Sequence, residues 1–376
     1  MEERTHASQN PVLQDSLRPY NYLNFKNVAT NTNTKGDSTY ESNIMEDENK
    51  SEFRSFLKIL PPVEFACVYG SSLHPNNQDQ STMTDFILGV SDPYLWHYEN
   101  LELNRNHYAS WVVHLGGARL VTEVADKIGV GVHFNPFVSW NRKMFKYGVV
   151  QIDDLLRDVL CWDRFYLSGR FQKPIHIVID NLDIANDNSA NLRAAISAAL
   201  LFLPSEFTEE DLYSKVCSLS YMGDLRMLFA EDKNKVKKIV TGQFDLFHSM
   251  YKPFLEEYEA KKLLRLSSNA DRRIQVFQDC NLSAASSLVS FLPPAIRNQM
   301  GMKLREKTKI SETGKIMRDV AFSSREEAAK CLQGILRRRV MISSARQAVS
   351  GLLTSGGVNA SRYLAKKICK AWKSWR

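Results

Sequence analysis

Two short apolar runs and the turn between them constrain this chain most. Val63 to Tyr69 (VEFACVY) is β-prone and ends at Gly70-Ser71-Ser72. After a polar loop from Pro75 to Ser81, Thr84 to Val90 (TDFILGV) reads as a second strand that opens with a carboxylate, Asp85. A strand that runs into a Gly-Ser turn leaves backbone N–H groups and hydroxyls facing outward, where they can hold phosphate oxygens. A carboxylate on the adjacent strand can then hold Mg²⁺ against those phosphates, because magnesium takes one or two carboxylates and completes its shell with substrate oxygens. Gly70, Ser71 and Ser72 are therefore candidate phosphate-binding residues, and Asp85 is a candidate catalytic and metal-binding residue. An ordinary turn capped by a serine accounts for the same spacing.

The order strand, Gly-Ser, loop, strand with Asp resembles the nucleotidyltransferase superfamily, whose signature carries a second carboxylate two residues on. Here that position is Ile87, so a second metal contact must come from elsewhere. Asp180 is the candidate, at the end of the strand Pro174 to Ile179, since open sheets place functional groups at strand ends; a turn-forming role competes. Asp92, before Pro93, reads as a helix cap.

The pattern along the chain predicts organisation. Residues 1–50 are rich in Asn, Ser, Thr, Asp and Glu and bury too little apolar surface to offset ordering entropy. Residues 51–185 read as mixed α/β: a helix over Ser51 to Leu60, the two strands, helices over 93–130 and from Val149 to Leu160, and the strand before Asp180. Residues 186–300 read as mostly helical, and 301–376 as a basic region only partly ordered until its end. His97 and His107, in an Asn- and aromatic-rich stretch, read as hydrogen-bonding residues.

Composition narrows the partners. The net charge of +7 favours ligands that carry phosphate without choosing among them. No apolar stretch approaches the roughly 20 residues that span a bilayer. Six dispersed cysteines lack metal-site spacing and read as plain thiols. MEERTHASQN has neither the apolar core of a signal peptide nor the arginines of a mitochondrial presequence.

Longer stretches are more specific. VYGSSL (68–73), DFILGVSDPYLWHYENLELNRNHYAS (85–110), KYGVVQIDDLLRDVLCWDRFYLSGRFQKPI (146–175), NLRAAISAALLFLPSEFTEEDLY (191–213), SLSYMGDLRMLFAEDKNKVKKIV (218–240) and SGLLTSGGVNASRYLAKKICK (350–370) together resemble the mitochondrial translocator-assembly-and-maintenance family, whose members are CDP-diacylglycerol synthases. The resemblance implies an α/β nucleotidyltransferase-like domain, a mostly α, winged-helix-like domain and CTP bound between them. It also implies phosphatidic acid as acceptor, Mg²⁺ as cofactor, and a peripheral place on the matrix side of the mitochondrial inner membrane. The family's turn falls on Gly70, Ser71 and Ser72, with Ser72 in place of the usual glycine, and its metal-binding aspartate falls on Asp85. Lys146 from the first domain, and Arg226 and Lys235 from the second, are candidates for binding the phosphates; solvated charge is the competing reading of each.

The chain end suits a lipid surface. In 359–376, Leu364, Ile368, Ala371, Trp372 and Trp375 share one helical face, and Arg362, Lys366, Lys370 and Lys373 the other. A basic face opposite a tryptophan-bearing one is the pattern of an amphipathic helix lying on anionic membrane; docking on the protein's own core is the alternative. Two other functions stay open: a nucleotidyltransferase acting on RNA, and a non-catalytic factor that maintains mitochondrial import. Nothing in the sequence resembles an RNA-binding motif, so nucleic acid is not the expected partner.

Overall fold

The computed structural model describes residues 50–70, 73, 83–224, 234–268, 274–310 and 316–374. It begins with a helix, α1, at residues 50–57. Five strands then form one mixed sheet: β1 (Phe65–Tyr69), β2 (Thr84–Val90), β3 (Val132–Trp140), β4 (Lys143–Gln151) and β5 (Ile175–Asp180), in the order β3-β4-β2-β1-β5. Only β2 and β4 pair in parallel; the other neighbours are antiparallel. In β1 four consecutive residues, Phe65 to Val68, are buried, as expected of a central strand covered on both faces.

One face packs Ala66, Val68, Phe86, Leu88, Phe145 and Tyr147 against Phe53, Phe56 and Leu57 of α1 and Trp96 of α2 (Pro93–Leu103). The other face packs Phe65, Cys67, Ile87, Val132 and Val150 against Ile152, Leu155 and Val159 of α5 (Ile152–Cys161) and Ile184 of α7 (Ile184–Phe202). Between α2 and β3 lie the short helices α3 (Ser110–Leu115) and α4 (Gly117–Glu123) and a π-helical turn, Val124–Ile128.

The hairpin β3–β4 is not expected from the sequence. Pro136 interrupts the alternation, and a bulge sets Pro136 and Phe137 opposite Lys146, with Phe137 at φ 61°. Consequently Val149 belongs to a strand, and the helix expected to begin there begins at Ile152.

Asp158 of α5 shapes the segment that leads from α5 to β5. Its buried carboxylate accepts the backbone N–H groups of Arg164, Phe165, Tyr166, Leu167 and Ser168 at 2.6–3.2 Å. This winds the chain into the one-turn helix α6 (Ser168–Phe171) and fixes the approach to β5.

The remainder is mostly helical. Leu192 and Ala194–Leu201 of α7 enter a second core with α8 (Glu209–Leu219), α9 (Lys235–Gly242), α10 (Phe244–Ala260), α11 (Leu282–Ser290) and α12 (Pro294–Lys303). The acid-rich start of α8 is a capping box, Thr208 with Asp211. Strands β6 (Glu206–Thr208), β7 (Leu264–Ser268) and β8 (Ile274–Gln278) make a small antiparallel sheet in the order β6-β8-β7, and β9 (Arg305–Ile310) pairs with β10 (Ile316–Ala321).

Where only partial order is expected after residue 301, the chain forms β9, β10 and then a single helix, α13 (Arg325–Ser374). Its glycines cost helix stability, but Ala328, Leu332, Ile335, Leu336 and Val340 are buried in the helical core and hold it. Three of its arginines bind backbone carbonyls at helix C-terminal ends. Arg325 reaches Leu200 and Leu203, Arg339 reaches Trp162 and Asp163, and Arg346 reaches Lys127 and Ile128. The helix therefore fastens the helical region to the α/β sheet.

A polar network is buried between α2 and the sheet. The Asn100 amide donates to the hydroxyls of Tyr108 (2.9 Å) and Tyr147 (2.8 Å), and Asn135 Nδ2 also donates to Tyr147 (3.0 Å). Each hydroxyl is then left to donate its own proton, Tyr108 to His97 Nδ1 (2.7 Å) and Tyr147 to His107 Nδ1 (2.9 Å). His133 Nε2 donates to Asn135 Oδ1 (3.0 Å). The network assigns each histidine a neutral tautomer, the hydrogen-bonding role read from the sequence for His97 and His107.

Candidate functional site

The sheet register builds the site. Tyr69 on β1 pairs with Asp85 on β2, and Asp85 pairs with Lys146 on β4, so the three stand in one row at the edge where β1 ends. Gly70 follows at φ 94°, which side chains rarely adopt, and a Cβ there would lie 3.5 Å from Asp85 Oδ2. Lys146 Nζ stands 3.0 Å from Asp85 Oδ1, with the two side chains 15% and 24% exposed. Oδ1 is shielded from solvent and accepts no hydrogen bond among the described residues; the ammonium is its ion-pair partner, off hydrogen-bond geometry.

Lys146 is held from below by an aromatic face. Its ammonium lies 4.5 Å from the ring centre of Phe134. That ring can lie flat only because its neighbour is Gly148, where a Cβ would meet three ring atoms at 2.4–2.9 Å. Gly148→Ala is expected to tilt Phe134, move Lys146 away from Asp85 and cost about 1–3 kcal/mol of stability. A thermal melt beside a nucleotide-binding titration checks both effects; an unchanged melt and unchanged binding would refute this role for Gly148.

On the other side of Tyr69 stand residues the sequence reading missed. The Arg170 guanidinium lies 3.8 Å from the Tyr166 ring centre and 5.7 Å from that of Tyr69, and Nη1 donates to the Tyr166 carbonyl. Lys173 donates to Ser220 Oγ at 2.7 Å and to the Gly169 carbonyl, so it joins the sheet edge to the turn after α8. In that turn the Tyr221 ring has two ammonium neighbours, Lys173 at 5.2 Å and Lys235 at 5.1 Å. The Tyr69 hydroxyl is pushed up to about 12 chiefly by burial; Asp85 acts in the same direction, and Lys146 and Arg170 oppose. Lys146, Asp85, Gly70 and Arg170 thus stand at this edge, with Lys173 and Lys235 on the Tyr221 ring beyond it.

Asp180 does not join this row. It pairs with Phe65, at the opposite end of β1 from Tyr69, four residues or about 13 Å along the strand from the row. Its two carboxylate oxygens accept the backbone N–H groups of Ile184 and Ala185 at 2.9 Å each. Asp180 caps α7 and is too far away to share an ion with Asp85. Asp92 caps α2 through the Leu95 N–H at 3.0 Å. Ser71, Ser72, Arg226 and Trp375 lie outside the described residues; Lys366, Lys370 and Trp372 fall within α13.

Asp85 fits a hard divalent cation such as Mg²⁺. Its Oδ1 takes no hydrogen bond among the described residues and has the Lys146 ammonium at 3.0 Å, and its Oδ2 lies on the side of Gly70, a residue without a side chain. Among the described residues no group of three His, Cys, Asp or Glu side chains gathers to hold a metal. A single carboxylate would leave most of such an ion's shell to substrate oxygens.

The family model for "phosphatidate cytidylyltransferase, mitochondrial" matches residues 53–370. Several curated proteins of that name are similar over most of their length. The Bos taurus protein is 32% identical over 330 residues, 86% of this chain and 95% of the relative. The Mus musculus protein is 30% identical over 83% of this chain and 92% of its own. The Schizosaccharomyces pombe protein is 32% identical over 82% of this chain and 80% of its own. The family match covers most of the chain, and the chain belongs to the mitochondrial phosphatidate cytidylyltransferase family.

Proposed function

We infer that this chain transfers CMP from CTP to phosphatidate, giving CDP-diacylglycerol and pyrophosphate, the precursor step for phosphatidylglycerol and cardiolipin. The observation that carries the reading is the row Gly70, Asp85, Lys146 at one sheet edge, in a chain that matches the family from residue 53 to 370.

The chain's own groups bind and orient. The Gly70 turn, with Ser71 and Ser72, receives the phosphates of CTP, and Lys146 and Lys235 supply positive charge from the two sides, with Arg226 as a further candidate. Mg²⁺, when bound at Asp85, supplies Lewis-acid charge to the phosphates. The attacking phosphomonoester is already anionic at neutral pH, so no general base is needed and the residues act by positioning and charge. The new bond forms between a phosphatidate oxygen and the α-phosphorus. The bond to the α–β bridging oxygen breaks, and pyrophosphate leaves with that electron pair.

The domain reading is an α/β nucleotidyltransferase-like unit over 51–185 and a winged-helix-like unit over 186–300. The small sheet β6-β8-β7 beside α8 and α10 supports the second. No described helix is long and apolar enough to cross a membrane. The enzyme meets its lipid at the matrix face of the inner mitochondrial membrane through the basic, tryptophan-bearing end of α13. Upstream on that helix Met341, Ile342, Val349, Leu352 and Leu353 are each at least 40% exposed, which supports an outward apolar side.

Incubating the purified chain with labelled CTP, Mg²⁺ and phosphatidate vesicles tests the function. Lipid-extractable label with stoichiometric pyrophosphate is expected. A folded protein that makes neither sinks the reading.

A further inference from the structure

The sheet edge orders its charged groups, and that order orients the two substrates. From one side to the other run Lys146 on β4, Asp85 on β2, Gly70 after β1, and Arg170 just before β5. In an in-line displacement the attacking and leaving oxygens lie on opposite sides of the phosphorus. With the α-phosphorus beside Asp85, the Gly70 turn lies on the Arg170 side. Phosphates resting on that turn extend toward Arg170, so the acceptor approaches from the opposite side, past Lys146, which stays beside Asp85 and the α-phosphate.

Resting on the cytidylyltransferase reading, we propose that Arg170 is a substrate-binding residue that grips the terminal phosphates of CTP and stays with pyrophosphate as it departs. Its preparation in the fold fits that task. A guanidinium is planar, always charged, and matches phosphate oxygens with a fork of donors. Here its plane is set by the Tyr166 ring at 3.8 Å and by the hydrogen bond from Nη1 to the Tyr166 carbonyl. Tyr166 is in turn fixed by its backbone N–H bond to Asp158, at 3.0 Å. Arg170 shares the field at the Tyr69 hydroxyl with Asp85 and Lys146, so it belongs to the same charged constellation. As the α–β bridging oxygen takes the electron pair of the breaking bond, the charge appears on the side that faces this guanidinium. Lys173, bonded to Ser220, lies next along the same side, and it and Lys235 of the helical region both face the Tyr221 ring.

The test compares the full chain with R170Q and R170K by calorimetric titration with CTP and CMP in Mg²⁺, without acceptor. R170Q is expected to bind CTP at least about tenfold more weakly and CMP as the wild type does, with R170K recovering part of the loss. At saturating CTP, KM for phosphatidate in vesicles is expected to stay constant. Equal CTP affinity in R170Q, an equal loss for CTP and CMP, or a raised KM for phosphatidate with CTP binding intact would each overturn the proposal. A wild-type chain that binds neither nucleotide would overturn the cytidylyltransferase reading beneath it.

Discussion

Asp85→Asn is expected to lower kcat by about 10³-fold or more, the scale of losing a metal's charge compensation at a reacting phosphate, while the folded state hardly changes. The substitution keeps volume and shape, so the packing of residue 85 beside the Gly70 turn is not disturbed. It removes the carboxylate charge that the shielded Oδ1 carries without a hydrogen bond. Lys146 loses its ion-pair partner but keeps the Phe134 face at 4.5 Å. Because the pair is mostly shielded, with side chains 15% and 24% exposed, its loss should cost about 1–3 kcal/mol and leave the chain folded. Steady-state turnover, a thermal melt and a Mn²⁺ titration by electron spin resonance check the three parts. Turnover within tenfold of the wild type would remove Asp85 from the centre of the site.

What the sequence carries and what it hides divide along physical lines. Gly70 and Asp85 are legible because their signal is local: a strand, a turn that needs positive φ, and a carboxylate opening the next strand. Lys146 is legible only as a nearby charge, since its partnership with Asp85 depends on β4 lying parallel to β2. That pairing is set by a hairpin whose bulge at Pro136 and Phe137 erases the strand pattern. Asp180 shows where the strand-end rule misleads. The rule holds for parallel strands, and β5 runs antiparallel to β1, so the residues before β5 reach the site and those after it do not. Arg170 and Lys173 occupy that position, within SGRFQK, and their signal is a pair of cations immediately ahead of a strand. The single helix α13 is hidden for another reason: its glycines read as breaks, while the burial that overrides them comes from distant parts of the chain.

Mild acid should destabilise the protein before its carboxylates titrate. Burial lowers His133 to about 4 and His97 further in the same direction, with His133 adding to the effect on His97. Geometry gives the reason. His97 Nε2 and His133 Nδ1 are buried without a hydrogen-bond partner among the described residues, and their rings stand 5.1 Å apart. A proton added to His133 would be a buried charge with no acceptor, beside a second imidazole. Both groups are therefore neutral in the folded state, whereas in the unfolded chain they titrate near 6.5. The unfolded state then binds more protons below that value, so the stabilisation is complete above about pH 6.5 and falls as pH drops toward 4. Each buried histidine removes about 1.4 kcal/mol per pH unit within that window. His133 alone thus removes about 2 kcal/mol by pH 5, and His97 a similar amount, against a total of about 5–15 kcal/mol for a folded domain. His107, also lowered by burial but partly open to solvent, adds less. Asp126 and Asp187, raised by burial, act with the opposite sign. Denaturant midpoints measured from pH 7.5 to 4.5 should fall steeply below 6.5, and His133→Asn should reduce the slope by about 1.4 kcal/mol per pH unit whatever it does to stability at neutral pH. A flat profile between pH 6.5 and 4.5, or a slope unchanged by that substitution, would mean that the buried network accepts protons and that its tautomers are not fixed by the hydrogen bonds of Tyr108, Tyr147 and Asn135.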